Sequence, residues 1–163
     1  MQIKMKGGRE LAAFLDQFEP KLRNKALRHA LRRGANVARD EARLLAPKDT
    51  GKLAMSVKTD TKMSYGQAMA RVRLKGKHAY LGIWMEHGVV DHVIEAKDGK
   101  KLVIGDHVVS EADHPGVRKR PFMRPAFDTT MKEVINEVGR AITEYVDFGS
   151  VTPPLLEVDE DDD

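Results

Sequence analysis

Glu86, His87, His92, His107 and His114 are the residues of this 163-residue chain whose types best suit chemistry, since imidazole nitrogens and a carboxylate can ligate a transition metal. Their spacing does not support that use. No histidine pair has the i, i+4 interval that would put two imidazoles on one helix face, and the chain has no cysteine. A metal site would have to gather its ligands from separate loops, so partly exposed loop histidines are the expected state. Hydrolysis is served no better. Ser56, Ser64, Ser110 and Ser150 lie outside any nucleophile-elbow context. Asp40 and Glu41 are adjacent on a helix, where their side chains diverge by about 100° and cannot share a site. Gly7-Gly8 lacks the strand–turn–helix setting of a phosphate loop. Neither catalysis nor a cofactor or metal is expected.

The residues from His114 to Phe127 (His-Pro-Gly-Val-Arg-Lys-Arg-Pro-Phe-Met-Arg-Pro-Ala-Phe) hold three prolines, one glycine and four cations. Proline cannot donate to a strand ladder but suits the first turn of a helix, so this run reads as a rigid loop delivering a helix. Phe122 and Met123 are its candidate apolar anchors, with Arg118, Lys119, Arg120 and Arg124 as a polar rim, the division of labour usual at a subunit or partner interface. For Phe122 and Phe127 the competing role is to plug the chain's own core.

Composition fixes what such a loop is mounted on. An apolar content of 41% with 33% charged residues describes a charge-rich globular chain. No apolar run is long enough to span a bilayer, and the first residues contain no signal-peptide core, so synthesis in the cytoplasm and no membrane partner are expected. Residues 151–163 carry six acids and neither Lys nor Arg; without them the net +3 becomes +9 over residues 1–150. A single domain over residues 1–147 and a disordered acidic tail over 148–163 are predicted.

Period and punctuation then place the elements. Leu11, Phe14, Leu15 and Phe18 predict a helix over 8–18. Pro20 opens a second helix reaching Leu45, whose apolar stripe includes Leu22, Ala26, Ala30, Gly34, Ala38, Ala42 and Leu45. Period-two alternation predicts strands over 52–58 and 68–74, with a loop at Ser64-Tyr65-Gly66. Residues 78–88 fit either a short helix or a strand, and core packing is the expected role of Tyr80 and Trp84. Val93–Glu95 and Leu102–Ile104 flank Asp98-Gly99, predicting a hairpin closed there. A last helix should run from about Arg124 to Val146. The whole is α+β: two long amphipathic helices packed on a mostly antiparallel sheet, with a projecting hairpin or loop.

The basic second helix admits a second class of function, a small nucleic-acid-binding protein. Its cations spread around much of the circumference without helix-turn-helix spacing or an aromatic stacking platform, which favours a solvated or protein-docking face.

The order of the motifs resembles the tail-completion, or head–tail joining, family of long-tailed bacteriophages and prophages. The matching pieces are Ala46-Pro47-x-x-Thr50-Gly51-x-Leu53 after the basic helix, Tyr80…Glu86-x-Gly88, and His114-Pro115-Gly116…Arg120-Pro121-Phe122-Met123-Arg124-Pro125-Ala126-Phe127 before the last helix. The resemblance implies a virion structural protein of the neck or tail, with no catalytic residues, assembled in the host cytoplasm. It further implies repeated subunits, for which a hexameric ring is one form. The implied partners are neighbouring neck and tail proteins, with DNA met only in passage or non-specifically. The segment 89–113 and the acidic tail depart from the shared pattern.

Overall fold

The computed structural model of the chain describes residues 5–97, 100–146 and 157–158. Strand β1 (Met5–Lys6) precedes helix α1 (Gly8–Leu15), which buries Leu11, Phe14 and Leu15 as its periodicity requires. Helix α2 spans Pro20–Leu45. Pro20 occupies its first turn, where a missing N–H is no loss, and Ala46 leaves the helix in extended geometry because Pro47 follows.

The buried stripe of α2 is Ala26, Ala30, Gly34, Ala38 and Ala42, one residue per turn. Leu22 and Leu45, expected on that stripe, are instead 45% and 42% exposed. Small side chains let a second helix come close. That helix is α5 (Met123–Val146), antiparallel to α2: Ala42 shares a core cluster with Phe122 and Ala126, and Ala30 shares another with Ala141 and Ile142. Between them a Cβ added to Gly34 would stand 2.5 Å from the Val138 side chain and 2.9 Å from the Val134 carbonyl oxygen. Arg33 reinforces the pair, its Nε donating to Glu137 at 2.7 Å and its Nη1 pairing with Glu144.

Residues 52–56 correct the expectation of a strand. Lys52–Ser56 is a short helix, α3, and β2 runs from Val57 to Ser64. Leu53, Ser56 and Val57 are buried while Met55 is 68% exposed, an i, i+3, i+4 pattern that alternation over so few residues cannot be told from. The Ser56 hydroxyl donates back to the Leu53 carbonyl at 2.6 Å. Strand β3 (Gln67–Leu74) pairs antiparallel with β2 in register from Val57↔Leu74 to Ser64↔Gln67. Tyr65 and Gly66 join them with φ of 49° and 77°, the positive pair that a two-residue hairpin turn demands. Ala68, Ala70, Val72 and Leu74 are the more buried set on β3, as predicted, and α2 packs against both strands.

Residues 79–87 are helical (α4), which settles the ambiguous segment. Tyr80 and Trp84 meet edge to face, ring centroids 4.9 Å apart, but are 48% and 44% exposed rather than in the core.

Strand β4 (His92–Glu95) pairs with β7 (Glu111–His114), and β5 (Leu102–Ile104) with β6 (His107–Val109), all antiparallel. The predicted hairpin of 93–95 with 102–104 is therefore corrected; Asp98-Gly99, its supposed turn, lies outside the described residues. Gly105, at φ 59°, lets Ile104 pair with His107 across two residues, and the shorter closure is entropically cheaper. Strand β8 (Glu157–Val158) pairs with β1, so the tail expected to be disordered is a strand at those two positions. The rest of that tail lies outside the described residues.

Candidate functional site

A largely exposed β arm, described over residues 89–97 and 100–117, leaves the helical body and returns to it at a shoulder where its two legs meet. Val89 and Val117 exchange backbone hydrogen bonds of 2.9 and 2.8 Å. Gly88 and Gly116 flank this bridge with φ of 77° and 72°. A Cβ on Gly116 would run into the backbone of Val89 and Val90, so the close crossing of the legs requires glycine there. Beyond the bridge, the Arg120 amide donates to the Met85 carbonyl at 2.6 Å.

One carboxylate then fixes the start of α5. Glu86 Oε2 accepts from the amides of Phe122 at 2.9 Å and Met123 at 3.0 Å, and Oε1 from Arg124 at 3.1 Å. Pro125 has no N–H, and the Ala126 amide donates to the Phe122 carbonyl at 3.2 Å. Every donor that a helix N-terminus normally leaves open is thus answered, from a different helix, by a residue thirty-six positions away for Phe122. Burial alone would raise the Glu86 pKa; the three amide donors, helped by neighbouring His87, outweigh it and hold the carboxyl below its usual range. This is the physical content of Glu86-x-Gly88 and of Arg-Pro-Phe-Met-Arg-Pro-Ala: a cap supplied in trans and the turn it caps.

The capped turn redistributes the predicted interface residues. Phe122 is fully buried among Ala42, Ala46, Leu53, Val57 and Ala126, so its assignment as an anchor for a neighbouring subunit is corrected: the α5 cap points its ring into the chain's own core. Met123 is half-buried at the edge of that cluster. Arg118, Lys119, Arg120 and Arg124 are exposed around the shoulder. Phe127, for which core packing was the competing role, is 49% exposed.

Phe127 lines a feature that the sequence did not announce, an apolar groove of about 690 Å³ between α5 and β3. Leu31, Ala35, Ala38 and Ala42 of α2 form its floor, and Val134, Val138 and Phe127 one wall. The periodicity of each element was readable, but a gap between two elements packed on a third depends on their tertiary placement. The arm's apolar character was readable: Leu102-Val103-Ile104 and Val108-Val109 are apolar at consecutive positions, so both faces of that ribbon are apolar. Val103, Ile104 and Val108 are 74%, 52% and 58% exposed.

The histidines do not converge on a metal. His92 and His114 face each other across β4 and β7 with ring centroids 5.0 Å apart, Glu86 is engaged by the α5 amides, and among the described residues no group of three or more His, Asp or Glu could hold an ion. Several cations of the basic body have internal partners: Arg39 with Asp40, Arg43 with the Val57 carbonyl at 2.8 Å, and Arg73 and Lys75 with Asp60. Among the described residues no helix is long and apolar enough to cross a membrane.

These features define a scaffold: a capped, tightly packed body that holds out a β arm. Residues 9–88 match the family model described as "Bacteriophage HK97-gp10, putative tail-component". Over that span, which holds Ala46-Pro47-x-x-Thr50-Gly51-x-Leu53 and Tyr80…Glu86-x-Gly88, the chain is similar to a phage tail component; the His114–Phe127 motif lies outside the match, which stops where the arm begins. No curated protein and no solved structure matches the chain.

Proposed function

We propose that this protein is a virion structural subunit of the phage neck or tail, which joins or completes the tail at the head–tail interface as one of several identical copies. The family match over residues 9–88 carries this reading. The exposed shoulder cations and the apolar side chains left on the surface support it, since such surface belongs to assembly rather than to a monomer's own fold. Neighbouring neck and tail proteins are the partners, closed cyclic symmetry is the expected arrangement, a hexamer among its forms, and DNA is met in passage. The role is structural, without catalysis, and assembly takes place in the host cytoplasm before the protein is carried in the particle.

Complementation of a phage lacking this gene tests the reading. Electron microscopy should show filled heads and separate tails without the protein, and joined particles when it is restored. Joined, infectious particles in its absence would overturn the role. Charge reversal of Arg120 and Arg124 should abolish joining while leaving the thermal midpoint unchanged, because neither side chain takes part in core packing; unchanged joining would remove the shoulder from the interface.

A further inference from the structure

We infer that the arm tip of one copy docks in the groove between β3 and α5 of the next copy, adding a strand to the free edge of β3. This rests on the repeated-subunit reading above and names the surface that would join the subunits.

Three observations converge on that pairing. Consecutive side chains of a strand point to opposite faces, yet every residue from Ala68 to Arg73 lines the groove, so β3 presents its edge to it. Among the described residues β3 pairs only with β2, leaving that edge's amides and carbonyls without a ladder partner. A two-stranded ribbon is marginal by itself, and an open edge beside an apolar trough is the arrangement that strand addition uses.

The arm supplies what the edge lacks. Its tip, β5 and β6, is also a two-stranded ribbon with open edges, and its exposed Val103, Ile104 and Val108 show that the tip does not fill the groove of its own chain. Charge selects the pairing. Residues 89–117 carry six acids against three lysines, with Asp106 the one acid within the tip residues 102–109, whereas residues 1–88 carry nineteen Lys and Arg against eight acids; Arg71 stands on the groove, where Arg73 is already paired with Asp60. An apolar tip in an apolar groove, with Asp106 near Arg71 and the acids outside the tip drawn to the basic body of a like copy, is a head-to-tail contact, which closes into a ring when the rotation between copies divides a full turn.

The absence of native cysteine makes this directly testable. One tagged population carries Val103→Cys and a second carries Met69→Cys on β3, each otherwise the full chain. A disulfide requires Cα atoms within about 7 Å, so only tip-to-groove docking gives the mixed dimer. Under mild oxidation the yield should exceed by about tenfold that obtained when Lys48→Cys, an exposed site after α2, replaces Met69→Cys. Light scattering should show the oligomer of the native chain dissociating in Val103→Lys/Val108→Lys, with unchanged circular dichroism, since both side chains are exposed. A ring that forms without the mixed disulfide overturns this docking and leaves the repeated-subunit reading intact. Tip-to-tip disulfides, or a monomer with no cross-link above the control, also overturn it; failure of the broader reading would show separately, as joined particles made without the protein.

Discussion

The shoulder and the tip of the same arm are opposites. At the shoulder, Glu86 answers three amides, Val89 and Val117 bond to each other, and Phe122 is wholly enclosed. At the tip, Val103, Ile104 and Val108 stay largely exposed, and two strand edges have no ladder partner among the described residues. The first region is complete as a monomer. The second is complete only in company, and the difference separates the residues that make the fold from those that make the assembly.

That contrast predicts an ordered series of stability changes. Phe122→Ala should be the most damaging, losing about 3–5 kcal/mol by emptying the cluster that joins α2, α3 and α5; denaturant unfolding measures it, and a loss under about 1 kcal/mol would mean the ring is not enclosed. Gly34→Ala comes next. Alanine's better helix propensity is worth about 1 kcal/mol, but the new methyl meets the Val134 carbonyl, which is backbone and cannot step aside, so a net loss of about 1–2 kcal/mol is expected. An increase in stability would show that α2 and α5 are less closely apposed.

Glu86→Gln should cost about 1–2 kcal/mol, toward the low end because the site is partly open to solvent. Its sign with pH is definite. The folded pKa lies below the unfolded one, so the carboxylate's contribution is complete above the unfolded value of about 4.3 and disappears as pH falls through the folded value. Wild type and Glu86→Gln should therefore differ at neutral pH and converge in acid; parallel melting curves at all pH values would refute the cap as a charged one. The smallest change belongs to Val103→Lys/Val108→Lys, within about 0.5 kcal/mol of wild type, although assembly is lost. A large loss of monomer stability there would dissolve the distinction between the two regions.

Much of the body was legible because local rules and tertiary packing agree in it. Pro20 and Pro47 bounded α2, the alternation of Ala68, Ala70, Val72 and Leu74 placed β3, and the apolar spacing from Phe127 to Tyr145 placed α5. Failures came where two periods coincide over a few residues, as in Leu53-Ala54-Met55-Ser56-Val57, or where two turn signals compete and the shorter loop wins, as Gly105-Asp106 did. Glu86 carried a motif whose purpose was invisible, because its partners are amides, which have no residue type to recognise. Phe122 read as an anchor for a neighbour because an aromatic among prolines and arginines looks exposed; the in-trans cap turns it inward. The groove had no local signature at all.

The bridge between Val89 and Val117 has a further consequence for how such a protein can change. Because the two legs are clasped at their root, whatever lies beyond the clasp can be lengthened, shortened or exchanged without disturbing the helices behind it. Replacing residues 90–116 with a tight turn should yield a folded but solitary protein, and grafting a different ribbon onto the same clasp would give a new choice of neighbour on an old frame.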